Sequence, residues 1–91
     1  MSGLVDEALF RDAVEALGRE NQIDQAIEEM AELIAALRHH ARGKCDRAAV
    51  VTEIADVQIM MGQLAVIFGQ RAVTRERAAK LGRLAAMLSE G

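Results

Sequence analysis

From Ile23 to Ala41 the apolar residues Ile23, Ile27, Met30, Ile34, Leu37 and Ala41 recur at alternating steps of four and three. That spacing holds one apolar stripe along a helix, the heptad pattern of helices that pack lengthwise. Val50, Ile54, Val57, Met61, Leu64 and Phe68 repeat it. Two long helices are therefore expected. Asn21 is a natural N-cap for the first of the pair, with Asp24 in its opening turn, and Gly43 ends it. Asp46 caps the next and Gly69 closes it. An earlier helix is expected from about Leu4 to Leu17, with Phe10, Val14 and Leu17 on one face and Gly18 as its stop. A fourth is expected from about Thr74 to Ser89, carrying Leu81, Leu84 and Leu88. Short connections make neighbours antiparallel, so the two heptad helices should form a hairpin.

From Val57 to Phe68 only Gln58 and Gln63 are clearly polar, and Ile59, Val66 and Ile67 add apolar surface outside the stripe. A helix apolar all round must be covered all round, which implies a subunit interface along it. Composition agrees with an all-α chain: 52% of residues are apolar, the aromatics are Phe10 and Phe68, and proline is absent. A length of 91 residues suits one helical domain over 1–91. So small a domain buries a modest core, so the expected architecture is a four-helix bundle completed by oligomerisation, as a homodimer or homotetramer.

A net charge of −3 argues against nucleic-acid binding, which needs a basic surface. The opening stretch Met1 to Phe10 holds Asp6 and Glu7 and does not read as a secretory signal. By sequence no stretch reaches the roughly eighteen apolar residues of a membrane span, so no membrane partner is expected. Cys45 is the lone cysteine and cannot close an intrachain disulfide, which makes a cytoplasmic location the expectation.

Two acidic couplets interrupt the apolar pattern, Glu29-x-x-Glu32 and Glu53-x-x-Asp56. Residues three apart share a helix face, so each couplet aims two carboxylates one way. Four oxygen donors on neighbouring helices suit a hard cation such as Mg²⁺ or Mn²⁺. At ~100° per residue, Glu53 lies roughly 60° from the centre of its stripe, and Glu29 and Glu32 border theirs, preceded by Gln22 and Gln25. Carboxylates at the rim of a packed seam lose hydration and repel one another, and a divalent cation between them relieves both. An ordinary solvated acidic face is the competing reading. Few cations stand nearby to pair with these acids, since the second helix offers none between Arg19 and Arg38.

Ile27-Glu28-Glu29-Met30-Ala31-Glu32-Leu33, followed by Glu53-Ile54-Ala55-Asp56-Val57, resembles the signature of the MazG-like, all-α nucleoside triphosphate pyrophosphohydrolases. The resemblance covers roughly Arg19 to Leu88 and includes Lys80-Leu81-x-Arg83-Leu84. It implies that Glu29, Glu32, Glu53 and Asp56 bind Mg²⁺, with Glu28 as an auxiliary or water-orienting carboxylate beside Glu29 in catalysis. It further implies cleavage of a nucleoside triphosphate between the α- and β-phosphates, giving a monophosphate and pyrophosphate. Lys80 is the expected phosphate contact, with Arg83 and Gln25 as further substrate contacts.

On their own terms the residues fit that chemistry. No Ser/His/Asp set is evident, Cys45 lacks an activating base, and no glycine-rich phosphate loop occurs, which leaves metal-assisted attack by water. Arg71, Arg75, Arg77, Lys80 and Arg83 make the last helix basic, either to meet phosphates or as a solvated face. The adjacent His39 and His40 point ~100° apart and cannot hold one ion together. With no Trp or Tyr to stack on a base, the sequence names no base. A non-catalytic helical oligomerisation module and a nucleotide-sensing module remain the alternatives.

Overall fold

The computed structural model describes residues 2–90, with side chains from residue 6 onward. Met1 and Gly91, the ends of the expected domain, lie outside the described residues. The chain forms four α-helices: α1 (Ser2–Leu17), α2 (Arg19–Ala41), α3 (Arg47–Phe68) and α4 (Gln70–Glu90). No strand occurs among the described residues.

Glycine punctuates the helices where the sequence says it should. Gly18 and Gly69, at φ 95° and 120°, are one-residue joints between α1 and α2 and between α3 and α4. Gly43 at φ 72° terminates α2: its N–H donates to His40 O at 3.0 Å, and that of Lys44 to His39 O at 2.8 Å. That pair of bonds is a Schellman turn. His40 Nδ1 and the Cys45 carbonyl, 3.1 Å apart, brace the turn, and the Cys45 thiol donates weakly to Ala36 O at 3.5 Å. Asp46 caps α3 as expected, accepting from Ala49 N at 3.1 Å.

Two expected boundaries move. Asn21 does not cap α2, because the helix already runs from Arg19; its side chain donates back to Leu17 O at 3.1 Å. The fourth helix begins at Gln70 instead of Thr74, since Gly69 alone makes the bend and leaves no connection to fill.

α3 is the centre of the molecule. It pairs antiparallel with α2 over most of its length, as the short connection requires, and also touches α1 and α4. On its α1 side Gly62 lets the Phe10 ring lie against the backbone, where a Cβ would collide with it. Arg19 sits over the Phe68 ring at 5.4 Å, tying the start of α2 to the end of α3. Among the described residues α4 touches α3 alone and has no buried residue. Its departure widens the chain to a radius of gyration of 15.7 Å, against about 12 Å for a compact domain of this length.

The largest departure from the sequence reading is rotational. The inward line of α2 runs through Gln22, Ala26, Glu29, Leu33 and Ala36, and that of α3 through Ala49, Glu53, Asp56, Met60, Gln63 and Ile67, with Ile23, Met30, Val50, Val57 and Leu64 of the expected stripes half-buried beside them. Each inward line is the expected heptad stripe displaced by one residue, about 100° around the helix. Ala26, Met60, Gln22 and Gln63 are buried there, whereas Ile27, Ile34, Ile54 and Met61 of the expected stripes are exposed. The interior thus takes the stripe that carries polar groups. Gln22 Nε2 donates to Gln63 Oε1 at 2.6 Å and Gln63 Nε2 approaches Met60 Sδ at 3.7 Å, so the buried amides satisfy one another.

A second expectation changes with the helix bounds. α3, with 22 residues and a mean hydropathy of 1.5 over its most apolar window, is long and apolar enough to cross a membrane by length and composition. Glu53, Asp56, Gln58 and Gln63 break its apolar run into short pieces, whereas the mean hydropathy averages over them. Two carboxylates near the middle of a span are unfavourable by about 2.5–3.5 kcal/mol each.

Candidate metal centre

One turn of α2 faces one turn of α3 at an acidic site. Glu29, Glu53 and Asp56 each bring a carboxylate oxygen within 4.8 Å of the other two, and all three residues are half-buried. The helical spacing explains the meeting: Glu53 and Asp56 share the inward face of α3, and Glu29 lies on the inward face of α2 at the same height. A one-residue displacement of the stripe carried these acids from the expected rim toward the helix contact.

Their hydrogen bonding is incomplete. Glu29 Oε1 accepts from Gln25 Nε2 at 3.0 Å. Glu29 Oε2 and Glu53 Oε2 are buried and have no partner. No cation compensates: among the described residues the one ion pair is Arg11 with Glu7 at 2.7 Å, inside α1. The Glu29 carboxyl accordingly sits above its ordinary range. Loss of solvent is the main cause, the Gln25 amide opposes it, and the charges of Glu32 and Asp56 push the same way as burial. An oxygen-only donor set with orphaned lone pairs and surplus negative charge is what a hard divalent cation satisfies, so the residues fit Mg²⁺ or Mn²⁺.

The remaining expected site residues scatter. Glu32 is exposed at the solvent edge one turn from Glu29; it acts on that carboxyl but lies outside the group of three converging oxygens. Glu28 is exposed and falls about 100° farther from the helix contact than Glu29. Gln25 is engaged with Glu29. Lys80 and Arg83 are exposed on α4, in a shallow groove with Leu84 and Met87, on a helix that touches neither α1 nor α2. Acids and phosphate-seeking cations are therefore not brought together within one chain. The sequence reading named Gln22 and Gln63 but gave them no role. Seven residues from Glu29 and from Asp56 respectively, they lie two turns along the same inward faces, and that spacing was the available signal.

The chain matches no protein-family model, no curated protein and no solved structure.

Proposed function

We propose that the chain is a Mg²⁺-dependent nucleoside triphosphate pyrophosphohydrolase of MazG-like type, releasing a nucleoside monophosphate and pyrophosphate. The observation that carries this reading is the convergence of Glu29, Glu53 and Asp56 from two helices, with two orphaned buried oxygens and no neighbouring cation. The order of the couplets in the sequence supports it. Glu29, Glu53 and Asp56 would hold the cation, with Glu32 completing the set from the solvent edge. When bound, the cation supplies neutralisation of phosphate charge and a lower pKa for a coordinated water. Glu28, or the oxygen of Glu29 not engaged by the cation, would accept the proton of the attacking water. Gln25 orients Glu29 through its amide. Lys80 and Arg83 would meet the phosphates, and the active unit would be a homodimer or homotetramer in the cytoplasm.

The test is pyrophosphate release from a panel of nucleoside triphosphates with Mg²⁺ and with EDTA. Turnover should require Mg²⁺ and fall by orders of magnitude in Glu53→Gln, which keeps shape and removes a charged ligand, while Glu90→Gln behaves as the parent. Absence of turnover on every nucleotide sinks the hydrolase reading. Nucleotide-dependent thermal stabilisation without turnover would select the nucleotide-sensing module instead.

A further inference from the structure

The apolar stripes of the two long helices are covered only in part: Ile23, Met30, Val50, Val57 and Leu64 are half-buried, and the rest of both stripes faces solvent. Ile27, Ile34 and Leu37 of α2, and Ile54, Met61 and Phe68 of α3, are between 40% and 62% exposed. On each helix this stripe is displaced from the inward one by one residue in the same rotational sense. Because α2 and α3 are antiparallel, equal displacements bring both stripes to the same side of the hairpin. They form one two-helix apolar face. Phe10 packs instead at Gly62, about 120° around α3 from the centre line of its stripe, and leaves this face open.

We infer that a second copy of this chain covers that face, so that two α2–α3 hairpins pack seam against seam as a four-helix core around a two-fold axis. Three observations select a second copy. The accessible surface is 6978 Å², whereas a compact monomer of this mass exposes about 5,200 Å². The excess of about 1,800 Å², shared between this face and the outlying α4, lies in the range that one subunit loses in an obligate homodimer, roughly 1,000–2,500 Å². The face consists of two uninterrupted heptad stripes, whose natural complement is another such pair, and a two-fold interface must be self-complementary. Finally, the interior took the stripe with the glutamines and acids, although an apolar one lay beside it. A chain folding alone gains nothing by that choice. A chain that dimerises keeps its polar ladder and buries its apolar stripes as well. The proposal gives the oligomer of the proposed enzyme a specific surface, but it stands or falls without the hydrolase reading, because its test measures mass and not turnover.

The full chain is examined by sedimentation equilibrium, with Ile34→Lys and Met61→Lys on the face and Ile59→Lys off it. The parent should run at twice the chain mass of 9.9 kDa, or a multiple of that. Both face variants should shift towards the single-chain mass with far-ultraviolet helicity retained, and Ile59→Lys should stay at the parent mass. If the face variants unfold, the melting temperature of the parent decides. It should rise by several degrees over a hundredfold increase in concentration, because association stabilises the folded chain by mass action. A parent that is monomeric at tens of micromolar overturns the proposal, whether it stays free or sediments with phosphatidylcholine vesicles. So does a parent melting temperature independent of concentration, or a dimer that Ile59→Lys breaks and both face variants leave intact.

Discussion

The buried amide pair offers a direct test of how α2 is held against α3. Gln22 and Gln63 are 7% and 5% exposed, and their 2.6 Å hydrogen bond joins residues 41 apart in the chain. Replacing Gln63 with Leu keeps the volume but strands the Gln22 amide in the interior, where an unsatisfied polar group costs about 1–3 kcal/mol. Gln22→Leu strands Gln63 Oε1 in the same way, because Met60 Sδ at 3.7 Å accepts from Gln63 Nε2 and leaves that oxygen unpaired, so its cost should fall in the same range. Replacing both removes both orphans and leaves two leucines of matching size, which is close to neutral. The expected coupling in the double-mutant cycle is therefore about 2–6 kcal/mol in favour of the double variant. With about 4–8 °C per kcal/mol for a domain of this size, each single variant should melt roughly 5–20 °C below the parent. Thermal unfolding followed by circular dichroism at one fixed chain concentration supplies all four values. Purely additive losses, with the double variant the least stable, would refute the argument that the pair is buried and mutually satisfied.

Two further outcomes follow from the glycines and from the acidic site. Gly62→Ala should destabilise by about 1 kcal/mol, because overpacking against Phe10 at about 1–3 kcal/mol exceeds the helix-propensity gain of about 1 kcal/mol. Gly82→Ala, with open space around it on α4, should stabilise by about 1 kcal/mol; urea unfolding that moves both the same way contradicts the packing at Gly62. The raised Glu29 carboxyl binds its proton more tightly folded than unfolded, so its contribution to stability is lost as pH rises through the window above the ordinary value of 4.5. In EDTA the melting temperature of Glu29→Gln should therefore gain on the parent as pH climbs through that window, and millimolar Mg²⁺ should narrow the difference by stabilising only the parent. A difference that stays flat with pH, or a parent indifferent to Mg²⁺ at low salt, runs against a carboxylate site strained by its own charge.

Helix existence was legible in this sequence because punctuation and periodicity agreed. Gly18, Gly43, Gly69 and Asp46 each stand where a helix ends or begins, and the intervening stretches carry an unbroken helical period. The acidic couplets were legible too, since i,i+3 spacing fixes a shared face whatever the tertiary structure does. Which face turns inward was not. A heptad stripe states that something packs on it without saying whether that is the next helix or another molecule. On α2 the apolar arc runs from Ala26 and Leu33 round to Ile27 and Ile34, wider than one neighbour can cover, so the pattern left its centre line undetermined. The position of α4 was illegible for a similar reason. Its stripe of Val73, Leu81, Leu84 and Leu88 is real, but the one-residue joint at Gly69 sends it away from α2.

The rotation by one residue links the fold to the chemistry. Had the apolar stripes met inside the hairpin, Glu29 and Asp56 would lie about 120° from the helix contact and Glu53 at its rim, about 60° out, free to stay apart. Turning the polar stripe inward forces three carboxylates into one narrow gap and strands two of their oxygens. The amide pair two turns away makes that rotation specific, because turning α2 by one residue would break the Gln22–Gln63 bond and leave Gln63 buried without it. The displaced apolar stripes then need cover that this chain does not provide. The carboxylate gap and the bare apolar face are thus two consequences of one packing choice. A variant that restores the apolar stripe to the interior should lose both together, the response to Mg²⁺ and the association of chains.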